Sequence, residues 1–121
     1  MDKLLSDHRI LVVEDEMLIL LTIEDMLADL GCEQVSAAAT IDKALALIDG
    51  QVFDVAMLDM NLGGLESRAV AEALAARNVP FLFSTGNSFH DMWEGFHDRP
   101  VLRKPFMFEA LVAIMTNLLP R

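Results

Sequence analysis

Apolar residues recur along this chain in two alternating rhythms: short continuous runs, and longer stretches striped at steps of three and four. The runs are Ile10-Leu11-Val12-Val13, Val55-Ala56-Met57-Leu58 at the end of a stretch from Val52, Phe81-Leu82-Phe83, and Val101-Leu102. Runs this short and this unbroken fit strands buried on both faces. A fainter strand is expected from Glu33 to Ala39, where Val35, Ala37 and Ala39 alternate with small or polar residues.

The striped stretches predict helices between those strands. Leu20, Ile23, Leu27 and Leu30 share one face, Gly31 follows as a C-terminal cap, and Glu14-Asp15-Glu16 are expected to open the helix, where free N–H groups favour acids. Thr40 reads as the N-cap of a second helix carrying Ile41, Ala44, Leu45 and Ile48, with Gly50 at its end. An Ala-rich third helix runs from about Glu66 to Arg77, and Pro80 lies beyond it. Phe89, Met92, Trp93 and Phe96 fall at i, i+3, i+4 and i+7, which predicts a short helix over Ser88 to His97, the least stable element. Phe108, Leu111, Val112, Met115 and Leu118 stripe the last helix.

Five strands alternating with five helices imply an α/β, flavodoxin-like three-layer sandwich, because right-handed crossovers place helices on both faces of a parallel sheet. The order 2-1-3-4-5 is expected, with the first and third strands adjacent. At 121 residues the chain is expected to be a single domain with no attached output domain.

Composition narrows the function classes. No run approaches the roughly 18 apolar residues of a membrane helix, and Ser6-Asp7-His8-Arg9 interrupt any signal-peptide core. A single Cys32 forms no internal disulfide, so a cytoplasmic setting is expected. The net charge of −10 repels a phosphate backbone, so no nucleic-acid partner is expected. The same balance suits carboxylates gathered around a cation.

Candidate chemistry lies at the strand ends: Glu14-Asp15, Asp59-Met60-Asn61, Ser84-Thr85-Gly86 and Arg103-Lys104-Pro105. An Asp before Asn and Gly is an ordinary turn former, and a strand-end Thr or Lys is ordinarily a cap or a solvated charge. Their joint occurrence at the edge where open parallel sheets bind ligands is not explained that way. Glu14, Asp15 and Asp59 would repel one another unless a cation shared them, and oxygen-only donors favour Mg²⁺. A carboxylate beside such an ion can attack phosphorus, which would make Asp59 an aspartyl phosphate. Lys104 then fits as the charge on the phosphoryl oxygens and the Thr85 hydroxyl as a donor to them.

Taken together, Val12-Val13-Glu14-Asp15-Glu16, Leu58-Asp59-Met60-Asn61, Phe83-Ser84-Thr85-Gly86 and Lys104-Pro105-Phe106 resemble the receiver domain of two-component response regulators, over about residues 8 to 119. The resemblance implies Asp59 as phosphoacceptor, Asp15 as a direct Mg²⁺ ligand with Glu14 assisting, and the Asn61 backbone carbonyl as a further ligand. Thr85 and Lys104 become phosphate sensors, and the Lys104–Pro105 bond is expected to be cis, which only a bond before proline readily tolerates. It also implies a phosphorelay module that takes its phosphoryl group from a histidine kinase or phosphotransfer protein. Such a module acts through a protein partner or as a phosphate sink, and catalyses only its own phosphorylation and slow dephosphorylation.

Two departures qualify the match. Val101 stands where most receivers carry a switching Tyr or Phe. Instead, Phe83-Ser84-Thr85-Gly86 resembles a stand-alone subgroup with a Phe-Ala-Thr-Gly-X-Tyr motif, although Ser84 replaces Ala and Ser88 stands at the Tyr position. Reordering of Ser88 to His97 about Gly86 is the expected response to phosphorylation. The alternative reading is a Mg²⁺-dependent aspartyl-phosphate phosphohydrolase. Haloacid-dehalogenase-like enzymes of that kind carry Asp-X-Asp on the first strand, whereas here the acid is on the third and its second partner is Asn61. A receiver-like domain that binds partners without phosphorylation is a third.

Overall fold

In the computed structural model, which describes residues 4–86 and 92–119, each apolar run is a strand: β1 (Arg9–Val13), β2 (Gln34–Ala38), β3 (Val55–Asp59), β6 (Phe81–Thr85) and β7 (Val101–Arg103). They form one parallel sheet in the order β2-β1-β3-β6-β7, the expected flavodoxin-like arrangement. β3 lies in the middle and is buried at every position, as its unbroken apolar run requires.

Alternation along the strands sends neighbouring side chains to opposite faces. Leu11, Val13, Ala56, Leu58, Phe81 and Phe83 face α2 (Ile41–Gly50) and α3 (Arg68–Ala76). Ile10, Val12, Val55, Met57 and Leu82 face α1 (Met17–Asp29) and α4 (Phe108–Leu118). Two apolar cores thus sandwich the sheet. No helix among the described residues is long and apolar enough to cross a membrane.

Two helix ends carry the residues that local chemistry favours there. The Thr40 hydroxyl accepts the Lys43 N–H at 3.1 Å, and Gly31 takes φ +88° just past α1, a conformation that costs a residue with a Cβ.

Three expectations need correction. The acids do not open α1: its first residue is Met17, Glu16 is a cap residue without a side-chain hydrogen bond, and Glu14 and Asp15 stay with the strand end. Their carboxylates find better partners there than helix amides. Four helices rather than five occur among the described residues. Of the stretch expected as the extra helix, residues 88–91 lie outside the described residues and Met92 to His97 is not helical. Phe96 donates its N–H to the Trp93 carbonyl at 3.1 Å in a single turn, and Gly95 at φ +93° cannot continue a right-handed helix. Trp93 and Phe96 are nonetheless buried, making edge-on contacts with Phe83 at 5.6 and 6.0 Å between ring centroids. A turn therefore satisfies the spacing that looked helical.

The third correction is the start of the Ala-rich stretch: Glu66 does not open α3 but ends a hairpin, β4 (Asn61–Leu62) and β5 (Leu65–Glu66), with Gly63-Gly64 at its tip. Both glycines have positive φ, +58° and +88°, as a two-residue primed turn demands.

Candidate functional site

Because β1 and β3 are neighbours, Glu14 and Asp15 emerge beside Asp59. The cis Lys104–Pro105 bond follows β7 directly, and the Lys104 N–H donates to the Thr85 carbonyl at 2.8 Å, tying that strand end to β6.

Lys104 is the hub. Its Nζ donates to Asp59 Oδ2 at 2.8 Å and lies 2.9 Å from Glu14 Oε1. The second contact is close enough for an ion pair, although Glu14 Oε1 is off the line of a hydrogen bond. All three side chains are largely withdrawn from water, at 11% exposure for Lys104, 1% for Glu14 and 6% for Asp59. Charges buried this far are tolerated only in company.

The electrostatic consequence falls on Glu14. Burial is the main cause and the Asp59 charge adds to it, while Lys104 opposes both; together they push the Glu14 carboxyl from 4.5 up to about 7. For Lys104, burial works against the charged form, but the hydrogen bond to Asp59 and the negative charges of Asp59 and Glu14 outweigh it and hold the ammonium above its usual range.

Asp15 behaves differently. It is exposed, and its Oδ2 accepts the Gly63 N–H at 2.9 Å from the hairpin tip. Asp59 Oδ1 accepts the Asn61 N–H at 3.1 Å, and the Asn61 side-chain oxygen accepts the Gly64 N–H at 2.9 Å. Thr85 is buried at the end of β6, one residue past Ser84, the register partner of Asp59. The six expected site residues therefore meet at one sheet edge, and four of them, Asp15, Asp59, Asn61 and Lys104, line a cleft of about 270 Å³ together with Gly63 and Gly86. A larger groove, about 440 Å³, adjoins it beyond Lys104, between Ile19 of α1 and Phe106.

Two residues escaped the reading of the sequence. Ser67 is fully buried and its hydroxyl donates to the Asp59 backbone carbonyl, while its N–H donates to the Met60 carbonyl at 3.1 Å. Nothing in an Ala-rich helical stretch marks that role. Gly63 was readable only as a turn former, although two glycines between leucines are a hairpin signal.

The donor set fits a hard divalent ion. One carboxylate oxygen from each of Glu14, Asp15 and Asp59 lies within 4.8 Å of the others. All are oxygen donors, and two of the acids are already partly neutralised by an ammonium that a cation could relieve.

The family model for the response regulator receiver domain matches residues 10–116. Among solved structures, the chain is similar to the solution structure of SdrG from Sphingomonas melonis Fr1, at 44% identity and TM-score 0.82 over 95% of this chain and 97% of that one. The BeF3-activated conformation of SdrG from Pseudomonas melonis Fr1 is 44% identical with TM-score 0.79, over 93% of this chain and 96% of that one. The receiver domain of the sensor histidine kinase PA1611 from Pseudomonas aeruginosa PAO1 has a magnesium ion coordinated in its active-site cleft. It is 26% identical with TM-score 0.77, over 92% of this chain and 96% of that one. No match was found among curated protein sequences. With four ordered motifs gathered at one sheet edge and a family match running from β1 into α4, the chain belongs to the response regulator receiver domains of two-component signalling.

Proposed function

We propose that this receiver accepts a phosphoryl group on Asp59 from the phosphohistidine of a histidine kinase or phosphotransfer protein. It passes the signal on through a protein partner, or drains phosphate from a shared pool. The observation that carries the reading is Lys104 Nζ, buried between Asp59 at 2.8 Å and Glu14 at 2.9 Å beside a third carboxylate. The magnesium ion in the PA1611 receiver and the BeF3-activated form of SdrG support the same chemistry here.

Glu14, Asp15, Asp59 and the Asn61 backbone carbonyl would hold Mg²⁺. When bound, the ion supplies positive charge that lets two anions approach. One Asp59 oxygen forms the new P–O bond as the P–N bond to the donor histidine breaks, and the imidazole departs with that bond's electron pair. The Asn61 N–H and the Lys104 ammonium hold the Asp59 carboxylate in place. Phosphorylation adds about −1.5 to −2 charge by analogy with phosphorylated hydroxyls, so Lys104 shifts from Glu14 toward the new oxygens and Thr85 donates to another. The chain turns over no separate substrate. Met17, Leu18 and Leu21 leave an exposed apolar stripe on α1 beside the larger groove, a surface suited to a partner helix.

Phosphotransfer from radiolabelled, phosphorylated histidine kinases with Mg²⁺ tests this. Stoichiometric label that vanishes in Asp59→Asn and in a chelator is expected. Repeated turnover of a simple phosphomonoester would instead support the phosphohydrolase.

A further inference from the structure

The hairpin tip does work that neither the family match nor the ion site explains. Asp15 sits in the loop between β1 and α1, exposed to water, where a carboxylate has several rotamers open to it. Its Oδ2 is held at 2.9 Å by the Gly63 amide, which arrives from a different loop. That amide is not placed by chance. Gly63 and Gly64 have φ of +58° and +88°, and this primed turn aims the Gly63 N–H back over the sheet edge. At its base the hairpin is fastened to Asp59, through the Asn61 N–H to Asp59 Oδ1 and the Ser67 hydroxyl to the Asp59 carbonyl. The Asn61 side chain bridges to the Gly64 N–H and braces the tip.

We infer that Gly63 is a positioning residue: its backbone amide sets the distance between the exposed acid, Asp15, and the buried acid, Asp59, before the ion arrives. One Asp15 oxygen is tied to the amide, and the residue lines the cleft beside Asp59. A carboxylate held in this way loses less freedom on binding a cation, and outer partners of metal ligands commonly change affinity about 10- to 100-fold when removed. The inference rests on the proposed ion site.

Titration calorimetry with magnesium chloride tests it, using the full chain and two variants. Gly63→Pro removes the N–H and cannot adopt the positive φ. Gly63→Asn keeps the amide in a conformation that Asn tolerates, and an added Cβ meets nothing nearer than Asp15 Oδ2 at 3.9 Å. The expected result is about tenfold weaker binding in Gly63→Pro and near-native binding in Gly63→Asn. Melting in a chelator reports whether each variant is folded. Should Gly63→Pro not fold, hydrogen exchange of the Gly63 amide in Asp15→Ala carries the test, with faster exchange than in the native chain expected. Undiminished affinity in folded Gly63→Pro, or unchanged exchange in Asp15→Ala, would overturn this inference alone. A native chain that does not bind the ion would overturn the ion site and this inference with it.

Discussion

At the amino end of the sheet, Arg9 donates from Nε to Gln34 at 3.2 Å and from its backbone N–H to Asp54 at 2.7 Å, and the Ser36 hydroxyl lies 3.5 Å from Gln51, all in exposed positions. At the carboxyl end, Lys104 serves two carboxylates that are almost wholly buried. Both ends use polar side chains to finish strands, so the presence of polar residues distinguishes nothing. What differs is where the charge is kept. The amino end leaves its groups in water, where each costs little to hold and little to lose. The carboxyl end draws two acids and a lysine inside, an arrangement that seldom improves on apolar packing. It is intelligible as a place prepared for a further charge.

This contrast is broken most severely at Lys104. Lys104→Ala leaves Glu14 and Asp59 buried without their counter-charge, and urea denaturation at pH 8 is expected to show a loss of about 3 kcal/mol. A change near zero would mean that water already reaches both acids.

The pH dependence of stability follows next in size. Glu14 has a folded pKa of about 7 against 4.5 for the free group. Between those values the folded chain keeps a proton that the unfolded chain has lost, so stability falls as pH rises. The slope approaches about 1.4 kcal/mol per pH unit, then flattens above 7 where both states are ionised. Glu14→Gln is expected to abolish that slope. Saturating Mg²⁺ is expected to remove the slope as well, because the ion favours the ionised acid and leaves folded and unfolded chains alike deprotonated above about 4.5. The smallest effect is expected at the other end of the sheet, where Arg9→Ala changes stability by less than about 0.5 kcal/mol in the same denaturation assay.

Much of this contrast was legible in the chain itself. Apolar runs that stop on Glu14, Asp59, Thr85 and Lys104 located the strand ends, and the length of the chain with its alternating pattern located the order of the strands. Burial was not legible. Glu14 and Asp15 are adjacent acids with identical claims, and only the side of the sheet on which each emerges makes one the partner of Lys104 and the other a surface group. Trp93 and Phe96 carried a helical spacing that a turn at Gly95 meets equally well, because an i to i+3 hydrogen bond brings the same residues together. The Ser67 hydroxyl and the Gly63 amide act through backbone placement, which side-chain patterns do not record.

The central claim is that the carboxyl end of this sheet, and not its amino end, is built to take a divalent cation beside Asp59. Amide and side-chain NMR shifts during a magnesium chloride titration test it most directly. Saturable shifts are expected at Glu14, Asp15, Asp59, Asn61 and Lys104 and are expected to disappear in Asp15→Asn combined with Asp59→Asn. Shifts that fail to saturate, or that fall equally on the Arg9 to Gln51 edge, would contradict it.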